Sequence, residues 1–153
     1  MKTKINPSPA RRASQRGNAM IEFAICAVVM VMITVGVTDF SRMFSVAEVT
    51  ASAAAAGAQY GALSPAHWSD FAGIQEAATD DAGSFTNATA TASNTCYCTV
   101  GGIAVTCPAD CSGGGSPMMY ITVNVSAPYS SAFNYPWMPA VPTISSTNTV
   151  RVQ

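Results

Sequence analysis

The chain has 153 residues, and only 10% of them are charged, where soluble domains average about 25%. Its net charge of −1 conceals an asymmetry, because five of the seven basic residues lie in the first 17 positions and all eight acidic residues follow them. An acidic chain body argues against nucleic-acid binding. The single histidine and the lack of GxSxG, HExxH, GxxxxGK[ST] and GxGxxG motifs argue against the common hydrolases, zinc proteases and nucleotide-binding enzymes, and we expect no cofactor.

The N-terminus combines a basic segment with an apolar one. Residues 1–17 are polar, basic and contain proline, which predicts a short unstructured leader. Ala19–Thr38 holds 20 residues with one carboxylate, Glu22, and a helix of that length covers about 30 Å, enough to cross a bilayer. Basic residues beside a span stay in the cytoplasm, so we expect a cytoplasmic leader over 1–17, a transmembrane helix over 18–38 and the remainder on the other side of the membrane.

Three interpretations of this segment are possible. A cleaved secretory signal needs small residues just past the apolar core, and the chain reads Thr-Asp-Phe-Ser-Arg there, which disfavours it. A plain uncleaved anchor is the second interpretation. The third depends on the residues at the junction between the basic and the apolar segments.

That junction reads Gly17-Asn18-Ala-Met-Ile-Glu22-Phe23. A glycine before the apolar helix, a glutamate five positions later and an adjacent aromatic residue resemble the processing motif of type IV prepilins, especially pilins of the tight-adherence (Flp) system. The resemblance implies that a prepilin peptidase cuts after Gly17, leaving Asn18 as the new N-terminus and the apolar helix intact.

Glu22 has a physical reason to matter for assembly. A carboxylate within an apolar helix costs several kcal/mol unless it is paired. Cleavage would create an α-ammonium near this position, and a neighbouring subunit's ammonium could then neutralise Glu22 in a filament. The alternative is that Glu22 extends to the membrane interface beside Arg16.

The helical pattern continues beyond the span. Asp39 and Arg42 lie three residues apart, on one helix face, where they can form an ion pair. No proline occurs before Pro65, so one helix from about Ala19 to Ala62 is predicted, with 39–62 as its periplasmic extension. Small residues recur along it and would allow close packing, either against a partner helix or under the protein's own sheet; they are Ala47, Ala51, Ala55, Gly57 and Gly61.

Together these features resemble the N-terminal region of TadE-like proteins, which are minor pilins or pseudopilins of tight-adherence systems. The resemblance implies a non-catalytic role in pilus assembly and adhesion from the bacterial inner membrane, with a periplasmic head. Its implied partners are the prepilin peptidase, the major pilin, a second pseudopilin, the inner-membrane platform and lipid. A different hypothesis is an uncleaved, single-span envelope protein whose periplasmic head binds a ligand or a surface.

The sequence pattern over residues 63–153 predicts a small α+β head. Ser64 and Pro65 are typical of a helix start, and Asp80, Asp81 and Gly83 of its end. Alternating polar and apolar residues then predict strands from Phe85 onward; the later ones are Met119–Ser126 and Thr143–Val152. Residues 129–142 are predicted to form an aromatic, proline-rich loop.

Four of the five cysteines lie close together in the head, at positions 96, 98, 107 and 111. A two-residue turn at Gly101-Gly102 would place Cys96 opposite Cys107 and Cys98 opposite Val105. Opposed residues lie within disulfide range, which favours the pair Cys96–Cys107. The pattern does not fix the side of Cys111, and four cysteines permit three connectivities; we predict Cys98–Cys111 as the second pair. A zinc cluster is the alternative, and an oxidising location beyond the membrane favours disulfides. Cys26, in the span, is expected to be an inert small residue.

Overall fold

The computed structural model describes residues 9–83, 87–98, 102, 104–107, 111, 115, 117–132 and 143–153, with the side chains described from Gly17 onward. The elements are helix α1 (Pro9–Ala62), a 3-10 turn (Pro65–His67), helix α2 (Phe71–Ala82) and four strands. The strands are β1 (Thr89–Tyr97), β2 (Ala104–Val105), β3 (Met118–Pro128) and β4 (Thr143–Arg151). The α+β fold class is therefore confirmed. The chain divides into two compact units, one ending at Ser41 and the other beginning at Arg42.

Helix α1 begins earlier than the sequence analysis predicted. It starts at Pro9 and includes 9–17, so the expectation of an unstructured leader is wrong for these nine residues. Proline suits the first position of a helix, because the amide hydrogen that it lacks would have no partner there. Alanine, arginine and glutamine follow it, and all three favour a helix. Residues 1–8 lie outside the described part of the chain.

Helix α2 starts later than predicted. Ser64 and Pro65 begin only the 3-10 turn, and the Ser64 side chain forms no capping hydrogen bond. The cap of α2 is Asp70, whose carboxylate accepts a hydrogen bond from the Gly73 amide at 3.0 Å. Gly83 ends the helix with a φ of 62°, as glycine can do without strain.

The sheet is antiparallel, with the strand order β2-β1-β3-β4. Alternate side chains of β3 are buried, and they form the core together with residues of α1 and α2. The buried core comprises Ala53, Ala54, Ala58, Ile74, Ala78, Ala82, Ile121, Val123 and Val125. Strand β1 begins at Thr89 rather than at Phe85, a residue outside the described part of the chain.

The small residues of α1 pack under this protein's own sheet, which was one of the two predicted outcomes. The buried residues are not those with the four-residue spacing, because Ala51 is exposed whereas Ala53, Ala54 and Ala58 are fully or almost fully buried. A Cβ atom at Gly57 would lie 2.9 Å from the Ile74 carbonyl oxygen. Glycine therefore lets the backbones of α1 and α2 approach closely.

Candidate functional site

The candidate assembly segment is the apolar part of α1, 17–38. An 18-residue window of this helix has a mean hydropathy of 2.5, and none of the residues in it is buried. Side chains on every face are exposed, which is typical of a helix that lies in lipid or packs against other chains. By length and composition this helix can cross a membrane. The exposed large apolar side chains here are Met20, Ile21, Phe23, Ile25, Val28, Val29, Met30, Val31, Met32, Ile33 and Val37.

Two threonines bring hydroxyl groups into this apolar segment. The Thr34 hydroxyl donates to the Met30 carbonyl oxygen and the Thr38 hydroxyl to the Thr34 carbonyl oxygen, each at 2.8 Å. Hydrocarbon offers no hydrogen-bond partners, so polar groups in a membrane need partners within the protein. Both hydroxyls meet this requirement without a second helix.

Gly17 is a glycine that the helix itself does not require. Its backbone has no positive φ, and a Cβ atom there would have no neighbour within 4 Å. Alanine would fit, and it would stabilise a helix interior by about 1 kcal/mol relative to glycine. Neither backbone conformation nor packing in the described chain therefore explains glycine at this position.

Glu22 and Phe23 follow Gly17 on the same helix. Both side chains are exposed, and Phe23 retains 73% of its accessible surface. Among the side chains that the structure describes, none forms an ion pair with Glu22. Gly17 and the side chains of Asn18, Glu22 and Phe23 are thus all exposed to the surroundings of the helix.

Asp39 and Arg42 both lie in α1, three residues apart, as the sequence requires. Asp39 is 9% exposed, whereas Arg42 is exposed. Their ion pair stays a prediction.

A cluster at the end of α1 was missed by the sequence analysis. The Tyr60 hydroxyl donates to Asp70 Oδ2 at 3.1 Å, and the Tyr60 ring stacks on His67 with a centroid separation of 4.4 Å. His67 Nδ1 also lies 3.2 Å from the Tyr60 carbonyl oxygen. Asp70 therefore both caps α2 and holds Tyr60 of α1. An aspartate directly before an apolar helical pattern is a cap signal that could have identified it.

The Asp70 hydrogen bond also changes the acidity of Tyr60. Together with partial desolvation and the negative charges of Asp70 and Glu76, it raises the pKa of the Tyr60 hydroxyl above its ordinary value. The physical cause is that a nearby carboxylate disfavours the phenolate anion.

The head contains two disulfides, Cys96–Cys107 and Cys98–Cys111, with Cα separations of 5.5 and 5.7 Å. These are the pairs that the sequence favoured, but the predicted hairpin register is wrong. Cys96 lies opposite Val105, so Cys107 is diagonal to it, two residues further along the chain. A two-residue slip keeps every side chain on its face, so the alternation of side chains could not detect it.

Cys96, in β1, and Cys98, directly after β1, are both buried, with exposed fractions of 1% and 7%. Cys26 is free and exposed in the apolar part of α1. Within the described residues, no group of three or more histidine, cysteine, aspartate or glutamate side chains could hold a metal ion.

One region of the chain matches a known protein family. Residues 17–59 match the family model described as TadE-like protein. No curated protein and no solved structure matches the chain significantly. The matched region begins at Gly17 and includes Glu22, Phe23, Asp39 and Arg42, so the resemblance to TadE-like proteins seen in the sequence is confirmed over residues 17–59.

Proposed function

We propose that this protein is a minor pilin or pilus-assembly pseudopilin of a tight-adherence system, processed by a prepilin peptidase between Gly17 and Asn18. Its role is structural and non-catalytic, in pilus biogenesis and adhesion. The observation that carries the proposal is the TadE-like match, which begins at the glycine of the processing motif. A helix whose apolar side chains are exposed on every face supports it, because such a helix needs lipid or other subunits around it.

Gly17 supports the processing step in two ways. Its lack of a side chain is not required by the fold, which leaves recognition by another protein as the reason for glycine. Glycine also weakens a helix by about 1 kcal/mol relative to alanine. A peptidase must open the backbone around the scissile bond, and a weakened turn lowers the cost of that opening.

Glu22 then acts in assembly. After cleavage, the α-ammonium of Asn18 lies one helical turn from the carboxylate of Glu22, since four residues separate them. An ammonium from a neighbouring subunit pairs with Glu22 in the apolar environment, where an unpaired carboxylate is costly. The pairing fixes the axial position of one subunit relative to the next.

The chain is organised accordingly along its length. Residues 1–17 form the cytoplasmic leader, 18–38 the transmembrane helix, 39–62 its periplasmic extension and 63–153 the periplasmic head. The basic leader keeps the N-terminus in the cytoplasm, and the two disulfides fit an oxidising periplasm. The partners are the peptidase, the major pilin, a second pseudopilin, the inner-membrane platform and lipid.

Intact mass spectrometry tests the processing step. The full chain is expressed with and without the matching prepilin peptidase, and the peptidase should remove exactly the segment Met1–Gly17. The change Gly17→Val should block this loss. The matched control is Gly36→Ala in the same helix, where a Cβ atom also has no neighbour within 4 Å; it should leave processing intact. An unchanged mass with active peptidase would refute the proposal.

The role of Glu22 is tested separately from cleavage. Glu22→Gln should be processed normally but should fail to restore surface pili in a strain that lacks the chromosomal copy. Glu48→Gln is the control, because Glu48 is also an exposed glutamate of α1. Normal piliation with Glu22→Gln would remove the assembly role, and lost piliation with both variants would show that the effect is not specific to Glu22.

A further inference from the structure

The outer face of the sheet, defined here as the face opposite the buried core side chains, has an unusual composition. Within the described strands β1, β3 and β4 it carries ten hydroxyl side chains of serine and threonine, one amide, two tyrosines, one methionine, one proline and one cation. No carboxylate is present among them. The residues are Thr89, Thr91, Ser93, Thr95, Tyr97, Met118, Tyr120, Thr122, Asn124, Ser126, Pro128, Thr143, Ser145, Thr147, Thr149 and Arg151.

Hydrogen bonds between neighbouring strands hold part of this face in place. The Thr122 and Thr149 hydroxyl oxygens are 3.1 Å apart, and the Asn124 amide donates to the Thr147 hydroxyl at 2.7 Å. Such cross-strand pairs limit side-chain rotation. The face therefore offers an ordered array of groups that can both donate and accept.

One end of the outer face forms a shallow pocket of about 460 Å³, within the range of small-molecule sites. Tyr97 and Tyr120 meet there edge to face, with their ring centroids 5.9 Å apart. The exposed fraction of Tyr97 is 36%, so its ring is available for contact. The described lining residues are Thr95, Tyr97, Gly102, Met118, Tyr120, Thr122 and Thr149.

We propose that this pocket binds a neutral saccharide unit of a glycan. A pyranose ring has an apolar face of C–H groups and a rim of hydroxyls. The first matches the Tyr97 ring and the Met118 side chain, and the second matches threonine hydroxyls that donate or accept as needed. Both kinds of group converge on the same pocket, which a plain solvated sheet face would not require.

The lack of charged side chains among the described lining residues favours a neutral ligand. No described lining residue carries a charge, so an ionic ligand would lose hydration there without gaining a counter-ion. Arg151 lies opposite Tyr120 on the same face but does not line the pocket, and its Nε donates to the Gln153 carbonyl oxygen at 2.8 Å. The inference concerns the head alone and does not depend on cleavage at Gly17.

Saturation-transfer NMR on the full-length protein tests the proposal. The protein is held in a zwitterionic detergent without a sugar headgroup, since maltoside detergents would compete for the pocket. The probes are the neutral oligosaccharides cellohexaose, chitohexaose and mannohexaose, with oligogalacturonate as the acidic comparison. At least one neutral probe should bind with a Kd of about 1 mM or tighter. The acidic probe should bind more weakly.

Variants connect the binding to the pocket. Tyr97→Ala should weaken it by about tenfold or more, whereas Tyr97→Phe should retain most of it because the ring remains. Thr95→Val should weaken binding about fivefold through the lost hydroxyl. The matched control is Thr91→Val, on the same strand and face but outside the pocket lining, and it should bind as the unchanged protein does.

Several results would overturn the proposal. One is that no neutral probe binds at about 10 mM, ten times the stated Kd, and another is that the acidic probe alone binds. The proposal is also overturned if Tyr97→Ala binds as tightly as the unchanged protein, or if Thr95→Val and Thr91→Val lose binding equally. Each variant is first checked for folding by circular dichroism and by the absence of reactive head thiols before reduction. If Tyr97→Ala fails to fold, the comparison of Thr95→Val with Thr91→Val decides.

Discussion

The close approach of α1 to α2 at Gly57 leads to a quantitative prediction for Gly57→Ala. A Cβ atom at this position would lie 2.9 Å from the Ile74 carbonyl oxygen, 3.0 Å from the Ala78 Cβ and 3.2 Å from the Val123 Cγ1. The nearest atom is backbone inside a helix, which cannot rotate away. The two helices must therefore separate, and packing at the Ile74 and Val123 side chains, both 0% exposed, must loosen.

Two opposing effects set the magnitude. Alanine in place of glycine stabilises a helix interior by about 1 kcal/mol, and overpacking a filled core costs about 1–3 kcal/mol. Because the closest contact is with backbone, we expect the upper part of that range. The net effect should be a loss of about 1–2 kcal/mol in the free energy of unfolding.

Gly61 provides a matched control on the same helix. Its added Cβ atom would lie 2.9 Å from Ile121 Cδ1 and 3.1 Å from Ile74 Cδ1, and both atoms are the ends of flexible side chains. A rotamer change can relieve this contact. Gly61→Ala should therefore change the stability by less than about 1 kcal/mol.

The assay is urea unfolding of the full chain in detergent micelles, followed by tryptophan fluorescence. Gly57→Ala should lower the transition midpoint clearly, with an unchanged slope, and Gly61→Ala should lie close to the unchanged protein. A Gly57→Ala protein as stable as the original would refute the reasoning, because it would mean that α1 does not approach α2 this closely. Equal destabilisation by both changes would show that glycine itself, rather than the backbone contact, is needed.

Three further predictions concern the head and its contact with Tyr60 of α1. Replacing Cys96 and Cys107 together by alanine should lower the stability by about 3 kcal/mol, since the bond closes a short loop of the unfolded chain; urea unfolding with Cys98–Cys111 intact measures it. Asp70→Ala should cost about 1–2 kcal/mol in thermal unfolding, because α2 loses its cap and Tyr60 its acceptor, whereas Asp80→Ala should change little. Because folding raises the pKa of Tyr60, the stability that its protonated hydroxyl contributes is fully present below about pH 10. This contribution is lost as the pH rises through the folded-state pKa. Tyr60→Phe should abolish that loss, and an unchanged pH profile in this variant would contradict the assignment.

The sequence alone determined the apolar part of α1, 17–38. Twenty residues that are almost all apolar, with one carboxylate among them and basic residues on one side, are sufficient to predict a membrane-competent helix, because its hydrogen bonds are local and its side chains need no specific partner. The spacing of Gly17, Glu22 and Phe23 likewise identified the TadE-like segment without any contact from elsewhere in the chain. The helix start at Pro9 was not predicted, because the polar, basic and proline-containing composition of residues 1–17 favours an unstructured leader.

Tertiary structure decided what depends on contacts distant in sequence. Alternation predicted the faces of the strands but not the hairpin register, because a slip of two residues moves Val105 from Cys98 to Cys96 without changing any face. The residues of α1 that lie under the sheet, such as Ala53 rather than Ala51, depend on where α2 and β3 approach the helix. The meeting of Tyr97 and Tyr120 also follows from the pairing of β1 with β3, which joins segments more than twenty residues apart. Local pattern determines an element and its faces, and only the packed chain determines which faces meet.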